Sequence, residues 1–529
     1  MKQGHKVKGV LSNDEDEGMK VWHEELAHRS LNEKAKELGI PVFEGLSINS
    51  PEMAAELQSM ELDLLLSVFW GEIVKPNVLE IPAIGCFNLH TAYLPQNKGS
   101  FPIPWAIIND DGFCGLTIHR MDPGVDDGPI LEQVKVPIMD DDTGAGLYNK
   151  VCDAGFELFK DVLPRIAENN FSLTEQAAGE GSYHPRGYPY GRQIDAMWSP
   201  AKQERFKRAL TFPPFDGSVD PPAASIDGEE PRVRLLISFD CERPRGEKLD
   251  TEEGLAAAER KLRSLDTIRN LLNENSIPRT YFICGSFLVS MVLKYGNDKM
   301  KDLFDPDNEL VEIADHSYSH QVSKAILTRP DKEPLKAKEV LEEYQRNTEI
   351  FQDIFGKDLN GRGFRTPLGH RYGLQGKYRL LDLLKGEGVA YVSSALRDEN
   401  DSLNPKFVRD QIPRQPYRYE NGMLEIPSHG WQDTVFTGKS NTTLFEDPPT
   451  SVDEILDHYR DLITKASDIV TKYQRDYFLS LLFHPLSLEE YGPALAILEP
   501  LIKMAQDNGA TFHLHQEVME HYNNKLLVS

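Results

Sequence analysis

The chain is poor in cysteine, short of cations and without a long apolar run, and each shortage removes a class of function. Five cysteines in 529 residues, scattered and odd in number, supply no disulfide framework and fit a reducing compartment. Lys and Arg number 58 against 84 Asp and Glu, for a formal net charge of -26. Polyanion binding depends on clustered cations, so this balance argues against a nucleic-acid partner, while leaving room for a small nucleotide held by a few donors. The longest apolar stretch, Tyr281 to Leu293, falls short of the roughly 20 residues that span a bilayer, so no membrane span is expected. Near the start, Lys2, His5, Lys6 and Lys8 are followed by the acidic run Asp14 to Glu17, not by the apolar core of a signal peptide. These features point to a soluble, globular, cytoplasmic protein, long enough for two or three domains.

What is present alternates. His5 to Leu11 reads as a strand, Glu24 to Leu38 as an amphipathic helix stopped by Gly39, and Glu52 to Met60 as a second helix. Leu62 to Phe69 is apolar enough for a buried parallel strand, and Ile84 to Leu89 and Gly115 to His119 read as further strands. Leu131 to Ile138 alternates as an antiparallel edge strand would. Pro213, Pro214, Pro221, Pro222 and Gly228 crowd together between Phe212 and Arg232, where no helix should cross. A domain boundary is expected there, with a first domain over 1–217, a linker over 218–231 and a second domain over 232–529. The second begins again with a strand at Leu235 to Phe239, a long helix through Leu272 and a strand at Arg279 to Cys284. Strands are also expected at Ala390 to Ser393, Leu424 to Ile426 and Leu479 to Phe483. The pattern throughout is α/β, with sites at strand ends.

Two unlike sets of polar residues stand out. The first is Asn88-Leu89-His90 with Asp126, and Leu94-Pro95 and Gly99 between them. Transfer of an acyl group to an amine passes through a tetrahedral oxyanion, which needs fixed donors and a proton shuttle. Asn88 carries an amide donor, and His90, two residues along the same strand, shares its face and serves as acid or base. Alone, Asn-x-His at a strand end is commonly a turn with a satisfied histidine; the Leu-Pro loop and the Asp126 turn shift the balance toward catalysis.

The second set is Asp240-Cys241-Glu242, His316 to His320, Arg365-Thr366-Pro367 and His484. Two histidines one helical turn apart plus a carboxylate make a three-ligand site with open positions, suited to metal-assisted amide hydrolysis. Period two places Asp240 and Glu242 on one strand face and turns Cys241 away. Asp240 is read as the base and Glu242, His316 and His320 as metal ligands; the exchange of Asp240 and Glu242, or Cys241 as a ligand, stays open. His484 ends an apolar strand and is placed to protonate a departing amine, while Arg365 would orient the base. His429, in Pro427-Ser428-His429-Gly430-Trp431, either lines a substrate groove or is an ordinary loop histidine.

From about His5 to Gly217 the chain resembles the folate-dependent formyltransferases of sugar nucleotides and methionyl-tRNA, on Asn88-Leu89-His90, Leu94-Pro95, Gly99 and Asp126 before Gly128-Pro129. The resemblance implies a doubly wound, Rossmann-like domain and 10-formyltetrahydrofolate as cofactor. It also implies Asp126 as the residue that orients His90 or water, with Phe69, Trp70, Gly71, Leu94 and Pro95 around the folate. The segment Phe69-Trp70-Gly71 fits ordinary core equally well. Against the family pattern, the sequence starts almost at the second strand, Gly4-His5, so the first, central strand is expected to be missing.

From about Val233 the chain is similar to the polysaccharide deacetylase family, or NodB-homology domain. The motifs are Ser238 to Glu242, Thr280-Tyr281-Phe282, Asp315 to His320, Phe364 to Gly369 and Leu482 to Pro485, in the family's order. A distorted (β/α) barrel and a divalent metal, zinc first, are implied. The run Asp240-x-Glu242-Arg243-Pro244-Arg245-Gly246 leans toward a deformylase of lipid-linked amino-arabinose. The combined expectation is a bifunctional enzyme acting on the amino group of a sugar or sugar nucleotide, adding formyl at one site and removing an acyl group at the other, with homo-oligomers allowed. Weighed beside it are a single-activity N-deacetylase whose first half only binds a nucleotide sugar, a methionyl-tRNA formyltransferase-like enzyme, and a non-catalytic binding protein.

Overall fold

Backbone contacts in the computed structural model divide the chain into two units, Met1–Ile194 with Trp198–Val219, and Asp195–Met197 with Asp220–Ser529. The structure describes residues 4–12, 30–177, 179–213, 217–242, 251–326, 329–356, 362–398, 403, 405–409, 412–430, 451–488 and 495–523. The acidic run Asp14 to Glu17, the start of the Glu24 to Leu38 helix, Pro214-Phe215, Arg243 to Gly246 and Trp431 lie outside them. Among the described residues, no helix is long and apolar enough to cross a membrane.

The first unit contains β1 (Val10–Ser12), β2 (Val42–Glu44), β3 (Leu64–Val68), β4 (Gly85–His90), β5 (Lys98–Gly99), β6 (Phe113–Arg120), β7 (Ile130–Pro137) and β8 (Tyr183–His184). Among the described residues its main sheet has the order β3-β4-β6-β7, with β3 parallel to β4 and the other pairs antiparallel. β1 and β2 pair parallel in a sheet of their own, and β5 pairs with β8. The strand expected over His5 to Leu11 is thus only Val10–Ser12. The strand expected to be buried, Leu62 to Phe69, is parallel but borders the sheet, and Val68 is 54% exposed. Apolar composition alone does not say how many neighbours a strand has. Ser50 caps helix Pro51–Ser59 through the Met53 amide, and Thr143 caps helix Gly144–Ala167 through the Gly146 amide.

The second unit contains β9 (Val233–Cys241), β10 (Arg279–Ile283), β11 (Val311–Asp315), β12 (Gly363–Arg371), β13 (Tyr391–Arg397), the pair β14 (Val408–Arg409) and β15 (Ile412–Pro413), β16 (Tyr417–Arg418), β17 (Leu424–Glu425), β18 (Tyr477–Phe483) and β19 (Thr511–Phe512). Among the described residues its sheet runs β16-β17-β13-β12-β11-β10-β9-β18, with β19 also beside β9, and only β16 is antiparallel to its neighbour. The segment after β17 links the two ends of this order: Ser428 N–H donates to Ala395 O on β13 and His429 N–H to Ser480 O on β18, at 3.0 and 2.9 Å. The result is a curled, incompletely laddered barrel.

Every residue of β9 is buried. Leu235, Ile237, Phe239 and Cys241 pack outward among helices Glu252–Glu274, Val452–Tyr473 and Leu495–Asp507. Leu236, Phe282, Ala314, Tyr391, Leu424 and Phe478, each from a different strand, form the inner cluster with Val518 of helix His515–Asn523. Parallel strands covered on both faces leave their C-terminal ends as the open edge for a site.

The opposite end is sealed by charge. Arg234, fully buried, donates to both carboxylate oxygens of Asp227, to Ser225 and to Thr511, and pairs with Asp476 at 2.9 Å. Asp476 also accepts the amide hydrogens of Ile226 and Arg232. Removing one partner of a buried pair costs far more than the pair itself contributes, because the other charge stays in low dielectric. Arg234→Met is expected to destabilise the second unit by about 3–5 kcal/mol, read as a lower urea midpoint at unchanged slope.

Candidate functional site

β4 and β6 build the first constellation. Their antiparallel register sets Asn88 opposite His119, and period two puts His90 on the same face as Asn88. Asp126 reaches them from the turn before β7, where its φ of 54° lies in the left-handed region. Its Oδ2 accepts the Gly99 amide at 2.9 Å and lies 3.6 Å from His90 Nδ1. Its Oδ1 lies 3.4 Å from His119 Nε2 and accepts from Asn88 Nδ2 at 3.2 Å. The Gln176 side chain holds the turn by donating to the Asp126 and Gly128 carbonyls.

Asn88, His90 and Asp126 are therefore brought together, joined by His119, which the sequence reading did not single out. Only the β4–β6 register reveals it, 31 residues away in the chain. The Asn88 amide nitrogen is 3.2 Å from His119 Nε2 as well as from Asp126, so both its hydrogens face inward. One of those bonds must open before Asn88 donates to an oxyanion. His90 Nε2 is 3.0 Å from the Asn97 carbonyl, which only accepts, so this nitrogen carries the ring hydrogen and Nδ1 faces Asp126. Asn97 is itself fixed by Ser182, His184 and Asp111.

The residues expected around a folate divide. Phe69 follows β3 beside His90, is 48% exposed and meets Tyr148 at 5.7 Å between ring centroids; Gly71 is open above its Cα. Trp70 is half-buried against the core around Val74 and Val78. Leu94 is buried, its amide bonded to Thr117 Oγ1, and the peptide to half-buried Pro95 is cis. Phe69 and Gly71 present accessible surface; Leu94 is core.

The second constellation gathers at the C-terminal ends of β9, β11, β12 and β18. Asp240 is on β9 and Glu242 just past it; His316 follows β11, Arg365 lies on β12, and His484 follows β18. Ligand atoms of Glu242, His316 and His320 all lie within 4.8 Å of one another. His320 Nε2 contacts Glu242, and His316 Nε2 is 3.9 Å from Glu242 and 3.5 Å from Asp240. Arg365 Nη1 donates to Asp240 Oδ1 at 2.8 Å and to Ser238 at 2.9 Å, its guanidinium stacked 3.8 Å over the Phe282 ring. The Arg365 carbonyl is 3.0 Å from His316 Nδ1, which aims Nε2 at the carboxylates. His484 Nε2 lies 3.7 Å from Glu242.

One expectation fails. His316 and His320 are not on a helix: residues 316–320 form a loop with Ser317 at φ 63° and His320 at φ 60°. The four-residue spacing suits a helix, but the amide of Ser317 bonds to Asp315 and that of Ser319 to Glu343, which replaces helical pairing. The rings still approach to 5.0 Å. Cys241 is fully buried in the outer core, facing away from the ligand set. His429 is buried and bonded to Ser480 and Tyr477 at the barrel closure.

The donor set, two imidazole nitrogens and a carboxylate oxygen, fits a borderline divalent cation such as zinc. Burial alone would raise the Asp240 and Glu242 carboxyls. It is outweighed at Asp240 by His316 and Arg365 and at Glu242 by His320, so both stay below their ordinary range.

At the first site, burial would raise the Asp126 carboxyl, but His119, His90 and the Gly99 amide bring it down to about 2. Burial also lowers His90, against the opposing pull of Asp126. A depressed acid contributes stability that is present above its unfolded value of about 3.9 and is lost as pH falls through the folded value. NMR of the side-chain carboxyl and imidazole should find Asp126 still ionised at pH 3 and His90 mostly neutral at pH 6.5; a protonated Asp126 at pH 3 would contradict this network.

Comparison with known proteins matches residues 2–163 to the formyl transferase family model and residues 263–392 to the polysaccharide deacetylase family model. The bifunctional polymyxin resistance protein ArnA of Wigglesworthia glossinidia brevipalpis is 29% identical over 299 residues, 56% of this chain and 44% of its own length. The methionyl-tRNA formyltransferase of Caulobacter vibrioides is 37% identical over 184 residues, 35% of this chain and 59% of its own. A Helicobacter canadensis N-formyltransferase, crystallised with folinic acid and dTDP-3-aminofucose, is 27% identical, with a TM-score of 0.34, over 41% of this chain and 76% of that one. The chain spans about half the length of the curated relatives it matches. Two successive segments of one polypeptide thus match two different family models, formyl transferase first and polysaccharide deacetylase second.

Proposed function

We propose that the two domains, 1–217 and 232–529 with the intervening 218–231 as connection, act on the amino group of an amino sugar or its nucleotide, one adding formyl and the other removing an acyl group. The observation that carries this reading is the presence in one chain of two chemically opposite constellations: Asn88, His90 and Asp126 within the segment that matches the formyl transferase model, and a second set whose His316, His320 and Arg365 lie in the matched deacetylase segment while Asp240, Glu242 and His484 flank it. The net charge of -26 favours a small sugar nucleotide over tRNA as the amine.

In the first site, 10-formyltetrahydrofolate would supply the formyl group, with Phe69 and Gly71 offering it accessible surface. The Asn97 carbonyl holds His90 through Nε2, leaving Nδ1 to take the amine proton, and the resulting imidazolium faces the Asp126 carboxylate. Asn88 exchanges one inward bond for the developing oxyanion.

In the second site, Glu242, His316 and His320 would hold a divalent cation, zinc first. Such an ion acts as a Lewis acid on an amide carbonyl and makes water more acidic. Asp240, kept ionised and oriented by Arg365, takes the proton of the attacking water. His484, across from it beside Glu242, gives a proton to the leaving amine. The reading is of a cytoplasmic protein.

The test is mass spectrometry on the full chain with N-formyl and N-acetyl amino-sugar nucleotides, and with the free amine plus 10-formyltetrahydrofolate. Chelator is expected to abolish deacylation and spare formyl transfer. His90→Ala should reduce transfer by about 10²–10⁴-fold and leave deacylation intact; Asp240→Asn should do the reverse while metal stays bound. Loss of both reactions in either variant would refute independent sites.

A further inference from the structure

One helix face grips the loop between the two histidines. Glu343, Arg346 and Asn347 lie three and four residues apart on helix Ala337–Phe355, so they share a face. Glu343 Oε2 accepts the Ser319 amide at 2.6 Å, the Ser319 hydroxyl at 2.9 Å and the Ser317 hydroxyl at 3.1 Å. Asn347, fully buried, donates to the Ser317 carbonyl at 3.0 Å and the Ile283 carbonyl at 3.3 Å. The Arg346 guanidinium lies 3.5 Å over the Tyr318 ring. All three intervening residues, 317 to 319, are therefore held from one side.

The grip matters because of what the loop has to do. His316 emerges from β11 and is oriented by the Arg365 carbonyl, so the sheet places it. His320 has no strand behind it; its position follows from the path of residues 317–319. That path passes through the left-handed region at both Ser317 and His320, a conformation that non-glycine residues keep only when surrounding contacts over-determine it. The Ser317 hydroxyl completes the arrangement by accepting the His320 amide at 3.0 Å while donating to Glu343. Glycine is required at 285, where a Cβ would stand 1.7 Å from Asn347 Oδ1.

We infer that Glu343 and Asn347 are positioning residues for the metal centre, holding residues 317–319 so that His320 Nε2 meets His316 Nε2 and Glu242 around one cation. The inference rests on the metal reading proposed above. Neither residue touches the reacting atoms; both act through His320.

The experiment is zinc affinity of the full chain by competition with a chromophoric chelator, with the visible spectrum of the cobalt-substituted protein as a measure of ligand geometry. Glu343→Ala is expected to weaken zinc binding by about 10- to 100-fold and to change the cobalt spectrum. Glu343→Gln, which keeps an oxygen where the loop needs an acceptor, should recover most of the affinity. Glu342→Ala, which removes an exposed carboxylate from the same helix, should bind as wild type. Should Glu343→Ala fail to fold, the paired Ser317→Ala and Ser319→Ala substitutions remove the hydroxyl contacts from the loop side and should weaken zinc in the same direction. Unchanged zinc affinity in Glu343→Ala, or in the double serine variant if that decides, overturns the clamp. Failure of the wild-type chain to bind zinc or cobalt overturns the metal reading itself, a separate result.

Discussion

Side-chain alternation along strands buried on both faces is the constraint on which the second unit depends. In β9, Leu235, Ile237, Phe239 and Cys241 satisfy the helical layer, which forces Ser238 and Asp240 into the interior. An interior carboxylate cannot stay charged without compensation, and Arg365 on β12, itself held by donating to Ser238 and Ser393, supplies it. The same guanidinium packs on Phe282 and its own carbonyl aims His316. A packing rule at one strand thus fixes the charge state of one carboxylate and the direction of one imidazole.

The first unit solves a related problem with turns and register. Asn88 and His90 sit on one strand, but Asp126 reaches them only because its turn adopts a positive φ and is held by Gln176 and Gly99. Negative charge is then concentrated on a residue with two imidazoles and an amide around it, while the next residue, Asp127, turns to Lys98. Adjacent aspartates thereby acquire different surroundings from one backbone reversal.

The sequence was legible where local pattern and chemistry coincide. The strands β4, β6, β9 and β18 fall close to where apolar runs and alternation put them, and Asn88, His90, Asp126, Asp240, Glu242, His316, Arg365 and His484 do converge in two groups. It misled where a pattern has two structural solutions. Leu62 to Phe69 is as apolar as a buried strand yet borders its sheet, and a four-residue histidine spacing that suits a helix belongs to a loop. His119, Asn97, Glu343 and Asn347 were invisible because each acts through a partner brought near by pairing or packing, not by sequence proximity.

What the sequence determined by itself was the inventory: two α/β segments, an amide, imidazole and carboxylate set in one, a set of imidazoles and carboxylates in the other, and an acidic balance. Those follow from side-chain chemistry and short-range periodicity, which need no tertiary contacts. The tertiary structure alone decided which nitrogen of His90 and of His316 is committed, which carboxylate meets Arg365 and which meets His320, and how a loop keeps two imidazoles 5.0 Å apart. Hydrogen bonding and desolvation depend on distances of a few ångströms between residues far apart in the chain, and only the folded backbone sets those distances.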